Sequence, residues 1–336
     1  MLATTSWAAS SETVGVSRFA IPGDAGSPSF DATVWYPAAG GKLQNFGSSR
    51  IRPGYMASSD AAVVLERQSP LIVLIHGSGG SAESMAWIAT ELAKRGVLVV
   101  AADHPASRGG DPERASIVEV WTQPEDVSHL IDQLLESDWK DFIDPKRIGV
   151  VGFSLGGAAA MSLAGTRFQI EQFVQFCREH SDGACRALSH HFEGRNSSFY
   201  SRANGDMAEH RIRAAVAIAP GFTESVTEES IRSLGTPLLL IVGLDDPQLP
   251  PSTHITSAWN SLPAHSEIVE FAETQHFSFL PLCRDDAITL LAETGEEFVC
   301  QETGRKSREQ IHQATIKVLD QFFKENDVLP QNGDAS

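Results

Sequence analysis

Val150-Val151-Gly152-Phe153-Ser154-Leu155-Gly156-Gly157-Ala158 is a G-x-S-x-G set between an apolar run, 148–152, and an Ala-rich segment, 155–165, of helical composition. Short runs without polar alternation are what strands buried on both faces look like. A strand-to-helix turn this tight leaves no room for side chains two residues before and after the serine, hence Gly152 and Gly156. It also pushes Ser154 above the sheet edge at a helix N-terminus, where free N–H groups and the helix dipole favour developing negative charge. G-x-S-x-G alone is a common glycine-rich turn. The strand before it and the helix after it make Ser154 a candidate nucleophile.

Outward from this point the texture repeats. Apolar runs at 71–75, 97–101, 148–152, 214–219, 238–242 and 267–271 alternate with helical patterns at 82–95, 124–136, 155–165, 252–261 and 307–324. Strands alternating with helices predict an α/β fold, a doubly wound and mainly parallel sheet with helices on both faces. The 124–136 pattern follows Thr122-Gln123-Pro124-Glu125, a capping-box spacing with Pro in the first turn. In the last pattern Ile311, Thr315, Val318, Leu319 and Phe322 form a core-facing stripe. Upstream, 14–20 and 30–36 alternate apolar and polar residues as an antiparallel hairpin does. Residues 37–69 show no period and predict a long surface connection.

The 336 residues suit one large domain, 14–324, with insertions, between flexible termini at 1–13 and 325–336. Residues 166–210 break the rhythm and predict an inserted cap-like segment; 281–306 predict a second insertion. Each carries a cysteine pair, Cys177 with Cys185 and Cys283 with Cys300, in polar surroundings. Two local disulfides fit that placement, with four reduced thiols or either other pairing as alternatives. Disulfides would place the protein in the periplasm or outside the cell, a cytoplasmic location being the alternative. Residues 1–16, MLATTSWAASSETVGV, have neither the basic nor the apolar region of a secretory signal.

Composition sets further bounds. With 42% hydrophobic and 21% charged residues the chain is neither disordered nor fibrous. Lys and Arg number 26 against 43 Asp and Glu, a net charge of −17, which repels nucleic acid and anionic membranes alike. Every apolar run is too short for a membrane span.

Two more stretches complete a pattern. The run 71–75 leads into His76-Gly77-Ser78-Gly79-Gly80, and 238–242 leads into Gly243-Leu244-Asp245-Asp246-Pro247-Gln248-Leu249-Pro250. After 267–271 comes Ala272-Glu273-Thr274-Gln275-His276-Phe277-Ser278-Phe279. With Ser154 at a nucleophile elbow, the chain resembles the α/β-hydrolase superfamily, whose order is Ser, acid, His. The H-G-rich loop implies an oxyanion hole from the main-chain N–H groups of Ser78 and Leu155. The G-x-x-D-x-x-x-P turn implies Asp246 as triad acid, with Asp245 the runner-up. The loop histidine followed by an aromatic implies His276 as base. His265 precedes its strand and lies at the wrong sheet edge, while His254 and His312 fall in expected helices.

Asp103-His104-Pro105 ends another strand at the edge where ligands bind in open α/β sheets, so His104 is expected to line the pocket or organise its loop. His190-His191 are cap residues, since adjacent imidazoles seldom face one ion; neither a metal nor an organic cofactor is expected. Further pocket candidates are His76, Gly77, Trp121, Phe153 and Phe277. The arrangement of motifs over most of 14–324 is similar to the bacterial platelet-activating-factor-acetylhydrolase-like and predicted dienelactone hydrolase group. Here a serine stands in place of the cysteine nucleophile of true dienelactone hydrolases. That resemblance implies hydrolysis of carboxylic esters, small-molecule or polymeric, often with short acyl groups, through an acyl-enzyme. Peptidase, amidase or acyltransferase chemistry on the same triad, and a non-catalytic binding protein, are the competing readings.

Overall fold

The computed structural model describes residues 13–23, 28–65, 68–107 and 115–331. The strands are β1 (Val14–Ile21), β2 (Phe30–Ala39), β3 (Lys42–Phe46), β4 (Tyr55–Ser59), β5 (Ala62–Val63), β6 (Ser69–Ile75), β7 (Leu98–Ala102), β8 (Ile143–Phe153), β9 (Ile212–Ile218), β10 (Leu238–Gly243) and β11 (Glu267–Phe271). The α-helices are α1 (Ala86–Ala93), α2 (Thr122–Glu136), α3 (Leu155–Ala164), α4 (Glu171–Glu179), α5 (Gly183–Leu188), α6 (Ser197–Ala203), α7 (Glu228–Arg232), α8 (Pro251–His254), α9 (Ala287–Ala292) and α10 (Arg308–Glu325).

One sheet runs in the order β11-β10-β9-β8-β6-β7-β2-β1-β4-β3, with β5 beside β2. From β11 to β7 every pairing is parallel, and β2 joins β7 antiparallel. Every residue of β6 and β7 is buried, as continuous apolar runs require when both faces are covered. Leu71, Val73 and Ile75 pack with α2 and α3 on one face, through Leu130, Ile131 and Met161. Ile72 and Leu74 pack on the other with α1 and α10, through Ile88, Leu92, Leu319 and Phe323. The chain leaves β6 for β7 on one side and returns to β8 on the other. The crevice for a ligand therefore opens where β6 and β8 end.

Several expectations are corrected. The stretch 37–69 contains β3, β4 and β5, and β4 pairs parallel with β1 through Gly15 and Ser58. Its period was hidden because only Ala57 and Ser58 of β4 are buried. Helix α2 starts at Thr122 with Trp121 at its cap, and the Thr122 hydroxyl donates to the Glu119 carbonyl instead of capping the helix. The 252–261 pattern splits at Ile255, which is extended. The C-terminal segment from 325 is packed as far as Leu329, because Val328 and Leu329 enter the core beside Phe323. Residues 1–12 and 332–336 lie outside the described residues.

The cysteines form two disulfides, Cys177–Cys185 joining α4 to α5 and Cys283–Cys300 closing the loop around α9, compatible with an oxidising compartment. Among the described residues no helix is long and apolar enough to cross a membrane.

The 166–210 segment is anchored to the sheet by a buried ion cluster. His254 Nδ1 lies 2.7 Å from Glu224 Oε2 and Nε2 lies 3.1 Å from Asp182 Oδ2, the Asp that caps α5. Burial by itself disfavours the imidazolium, but hydrogen bonds to Asp182 and Glu224 outweigh it and push the His254 pKa up to about 9. Against the ordinary imidazole value of about 6.5, this stabilisation is complete at lower pH and is lost as pH rises through about 9. It is worth at most about 3 kcal/mol. The difference in Tm between the protein and a His254→Gln variant is expected to shrink from pH 7 to pH 10. A difference unchanged by pH would mean that His254 is buried neutral.

Candidate active site

Strand β8 ends at Phe153 and α3 begins at Leu155, so Ser154 alone makes the turn, with φ 57° and ψ −114°. That conformation costs a non-glycine residue about 1–3 kcal/mol and persists only where neighbours enforce it. The Ser154 N–H donates to the Ile218 carbonyl at 2.9 Å, and its own carbonyl accepts from Ala158 and Gly221 at 3.1 Å each. A Cβ on Gly152 would stand 1.8 Å from the Gly156 carbonyl oxygen, and one on Gly156 would stand 2.2 Å from that of Ile75. Gly157 is a third requirement that the motif did not reveal, since its Cβ would meet Pro220 Cα at 2.9 Å.

Three side chains from three strand ends converge here. Ser154 Oγ lies 3.0 Å from His276 Nε2, and His276 Nδ1 lies 2.8 Å from Asp246 Oδ2. The other Asp246 oxygen accepts the main-chain N–H groups of Gln248 and Leu249 at 2.7 and 2.9 Å. His276 and Asp246 are buried, whereas Asp245 is exposed. A carboxylate holding Nδ1–H leaves Nε2 free to accept the serine proton, which is the arrangement nucleophilic catalysis by an alcohol requires.

Gly77 brings the 76–80 loop against the serine: a Cβ on it would lie 3.1 Å from Ser154 Cβ. The main-chain N–H groups of Ser78 and Leu155 donate to no group among the described residues. The loop is fixed from behind. Gly79 N–H donates to the Ser107 carbonyl at 2.8 Å, and Gln123 Nε2 bridges the His76 carbonyl and Ser107 Oγ at 3.0 and 2.8 Å. Gln123 was invisible to motif reading because its role is to hold a main-chain carbonyl.

A cavity of about 1000 Å³ opens over Ser154, with Gly77, Phe153 and Phe277 in its wall. His76, His104 and Trp121 are corrections, as none borders it. His104 Nδ1 is bound to Asp126 Oδ2 at 2.9 Å, and its main-chain N–H donates to His76 Nε2 at 3.1 Å, so both imidazoles brace the loop from below. Trp121 is covered by Phe199 and the Arg202 guanidinium. The cavity has two unlike halves. One is apolar, with Phe173, Ala187 and Leu188 of the 166–210 segment beside Phe222 and Leu249. The other is walled by the β3–β4 hairpin, α1, α10 and residues 280–282, and is polar around Trp87 and His312. Those two rings, 225 positions apart in sequence, had no sequence signal linking them.

Comparison with known proteins agrees with this fold. The model of a family described as "Alpha/beta hydrolase family" matches residues 72–293. No curated protein matches the sequence. Among solved structures, a ferulic acid esterase from Streptomyces cinnamoneus is similar, with a TM-score of 0.59 at 19% identity over 96% of this chain and 94% of that one. A butyrate-bound thermophilic esterase from Thermogutta terrifontis is similar too, with a TM-score of 0.51 at 16% identity over 93% and 95%. At such identities the likeness establishes the fold alone.

Proposed function

Since the chain belongs to the alpha/beta hydrolase family, we propose that it is a carboxylic ester hydrolase working through Ser154, His276 and Asp246. The observation that carries this reading is the unbroken line from Ser154 Oγ through the imidazole to a carboxylate held by two further N–H groups. The two named structural neighbours are esterases, which supports the same chemistry.

In this mechanism His276 Nε2 takes the Ser154 proton as Oγ attacks the ester carbonyl. Asp246 stabilises the imidazolium that forms. The Ser78 and Leu155 N–H groups receive the carbonyl oxygen as it becomes an oxyanion, each such donor being worth about 3 kcal/mol in the transition state. Collapse breaks the bond to the alcohol oxygen, which leaves with the proton from Nε2. Water, deprotonated by the same nitrogen, then attacks the acyl-enzyme, releasing the acid and restoring Ser154. The apolar half of the cavity suits a small hydrocarbon acyl group.

The test is a series of p-nitrophenyl esters from acetate to palmitate, with a fluorophosphonate label located by mass spectrometry. Turnover falling towards the long chains, with the label on Ser154, is the expected result. Absence of both turnover and label would overturn the proposal.

A further inference from the structure

We propose that His254, which takes no part in the chemistry, is a positioning residue for the triad acid and the apolar wall, and that its protonated form keeps the two assembled. This rests on the esterase reading. Helix α8 ends at His254 and directly follows the loop that carries Asp246. The N–H groups of Thr253 and His254 both donate to the Pro250 carbonyl at 3.0 Å, and those of Gln248 and Leu249 hold the Asp246 carboxylate. From this turn the imidazole reaches two other segments, Glu224 after β9 and Asp182 at the cap of α5.

Helix α5 lies against the acid loop. The Gly183 N–H donates to the Pro247 carbonyl at 3.2 Å and the Ala184 N–H to that of Gln248 at 3.0 Å. A Cβ on Gly183 would stand 1.7 Å from Gln248 Oε1. The same helix supplies Ala184, Ala187 and Leu188 to the cavity. Asp182 serves both, because one carboxylate oxygen caps α5 by accepting the Cys185 N–H at 2.9 Å while the other meets His254. Asp246 and His254 also border one void of about 10 Å³, so the path through α5 closes into a ring around it.

Only the imidazolium completes this link. It donates from both nitrogens, whereas a neutral ring carries one hydrogen and turns a lone pair towards one of two nearly buried carboxylates. The contact to Glu224 is the shorter, 2.7 Å against 3.1 Å, so the one surrendered is that to Asp182. The groups facing the ring are Asp182, Glu224 and, across the void, Asp246; Phe176 of α4 packs on it, and His180 stacks on Phe176. The two paired carboxylates hold the proton up to about pH 9, so the link is intact at neutral pH and is lost as pH rises through that value. Its loss loosens α5, the acid loop beside it and the apolar wall together, and catalysis is sensitive to displacements of about 1 Å.

The test follows kcat on p-nitrophenyl acetate across the alkaline range, corrected for spontaneous hydrolysis and counted per site labelled by fluorophosphonate, so that unfolded protein does not enter. The protein is expected to lose about tenfold, with a midpoint near pH 9 and an unchanged far-ultraviolet spectrum. His254→Gln should begin about tenfold lower at neutral pH and show no alkaline limb. Asp182→Asn keeps a cap on α5 but removes a charge from His254, and should move the limb down by about one to three pH units. An alkaline fall that persists in His254→Gln, or a midpoint that Asp182→Asn leaves in place, would overturn the proposal. Deuterium exchange of residues 182–188, corrected for the intrinsic rate, separates this inference from the one beneath it. Exchange that quickens above about pH 9 in the parent, with no such step in His254→Gln, supports the link even if no ester is hydrolysed, in which case only the esterase reading falls. Ester turnover with exchange indifferent to pH overturns the link and leaves the esterase standing.

Discussion

Ser154→Ala is expected to lower kcat on p-nitrophenyl acetate by a factor of about 10⁴ to 10⁶ and to abolish fluorophosphonate labelling, with the far-ultraviolet spectrum unchanged. The magnitude follows from the route it removes. Without Oγ there is no acyl-enzyme, and His276 can only activate water less well placed than the hydroxyl 3.0 Å away. Free Ser78 and Leu155 amides would remain and leave a residual acceleration of about 10³ over water. The fold is expected to survive because the turn is held by main-chain bonds to Ile218, Ala158 and Gly221 that do not involve the side chain. Turnover within tenfold of the parent would remove Ser154 from the mechanism.

The second large effect separates two neighbouring acids. Asp246→Asn keeps shape and volume, yet one side-chain oxygen must still accept the N–H groups of Gln248 and Leu249. The amide NH₂ is thereby turned towards His276 Nδ1, which Asp246 now meets at 2.8 Å. Two donors cannot face each other, so the imidazole adopts the tautomer with hydrogen on Nε2 and cannot take the serine proton. The expected loss in kcat is about 10⁴-fold. Asp245→Asn, at an exposed position, should stay within about threefold of the parent, as surface substitutions away from a site generally do. Stopped-assay kinetics on both variants decide the matter, and an inverted result would transfer the role to Asp245.

Both predictions start from residues that could be picked out in the chain, and the reason is local. The Ser154 turn needs small residues at fixed offsets because a Cβ there would strike a carbonyl oxygen. Asp246 and His276 follow strands whose unbroken apolar runs announce burial on both faces. What escaped is what only three dimensions assemble. Strands β3 and β4 are short and half-exposed, so no alternation marks them. His104 has the strand-end position of a ligand-binding residue, yet the Asp126 carboxylate claims its Nδ1 below the floor of the site. Trp87 and His312 face one cavity only because α1 and α10 pack side by side on the same sheet face.

The two disulfides have a consequence for how this protein could change. Cys177–Cys185 staples the segment that builds the apolar wall, and Cys283–Cys300 staples the segment that follows the polar wall at Pro281 and Leu282. Each is a short local loop, closed within 8 and 17 positions, and neither ties one wall to the other. The two walls are thus two separable modules on a common chassis. Recombining the 166–210 segment between relatives should exchange the apolar wall while the other is inherited intact, a route open to drift and to engineering alike.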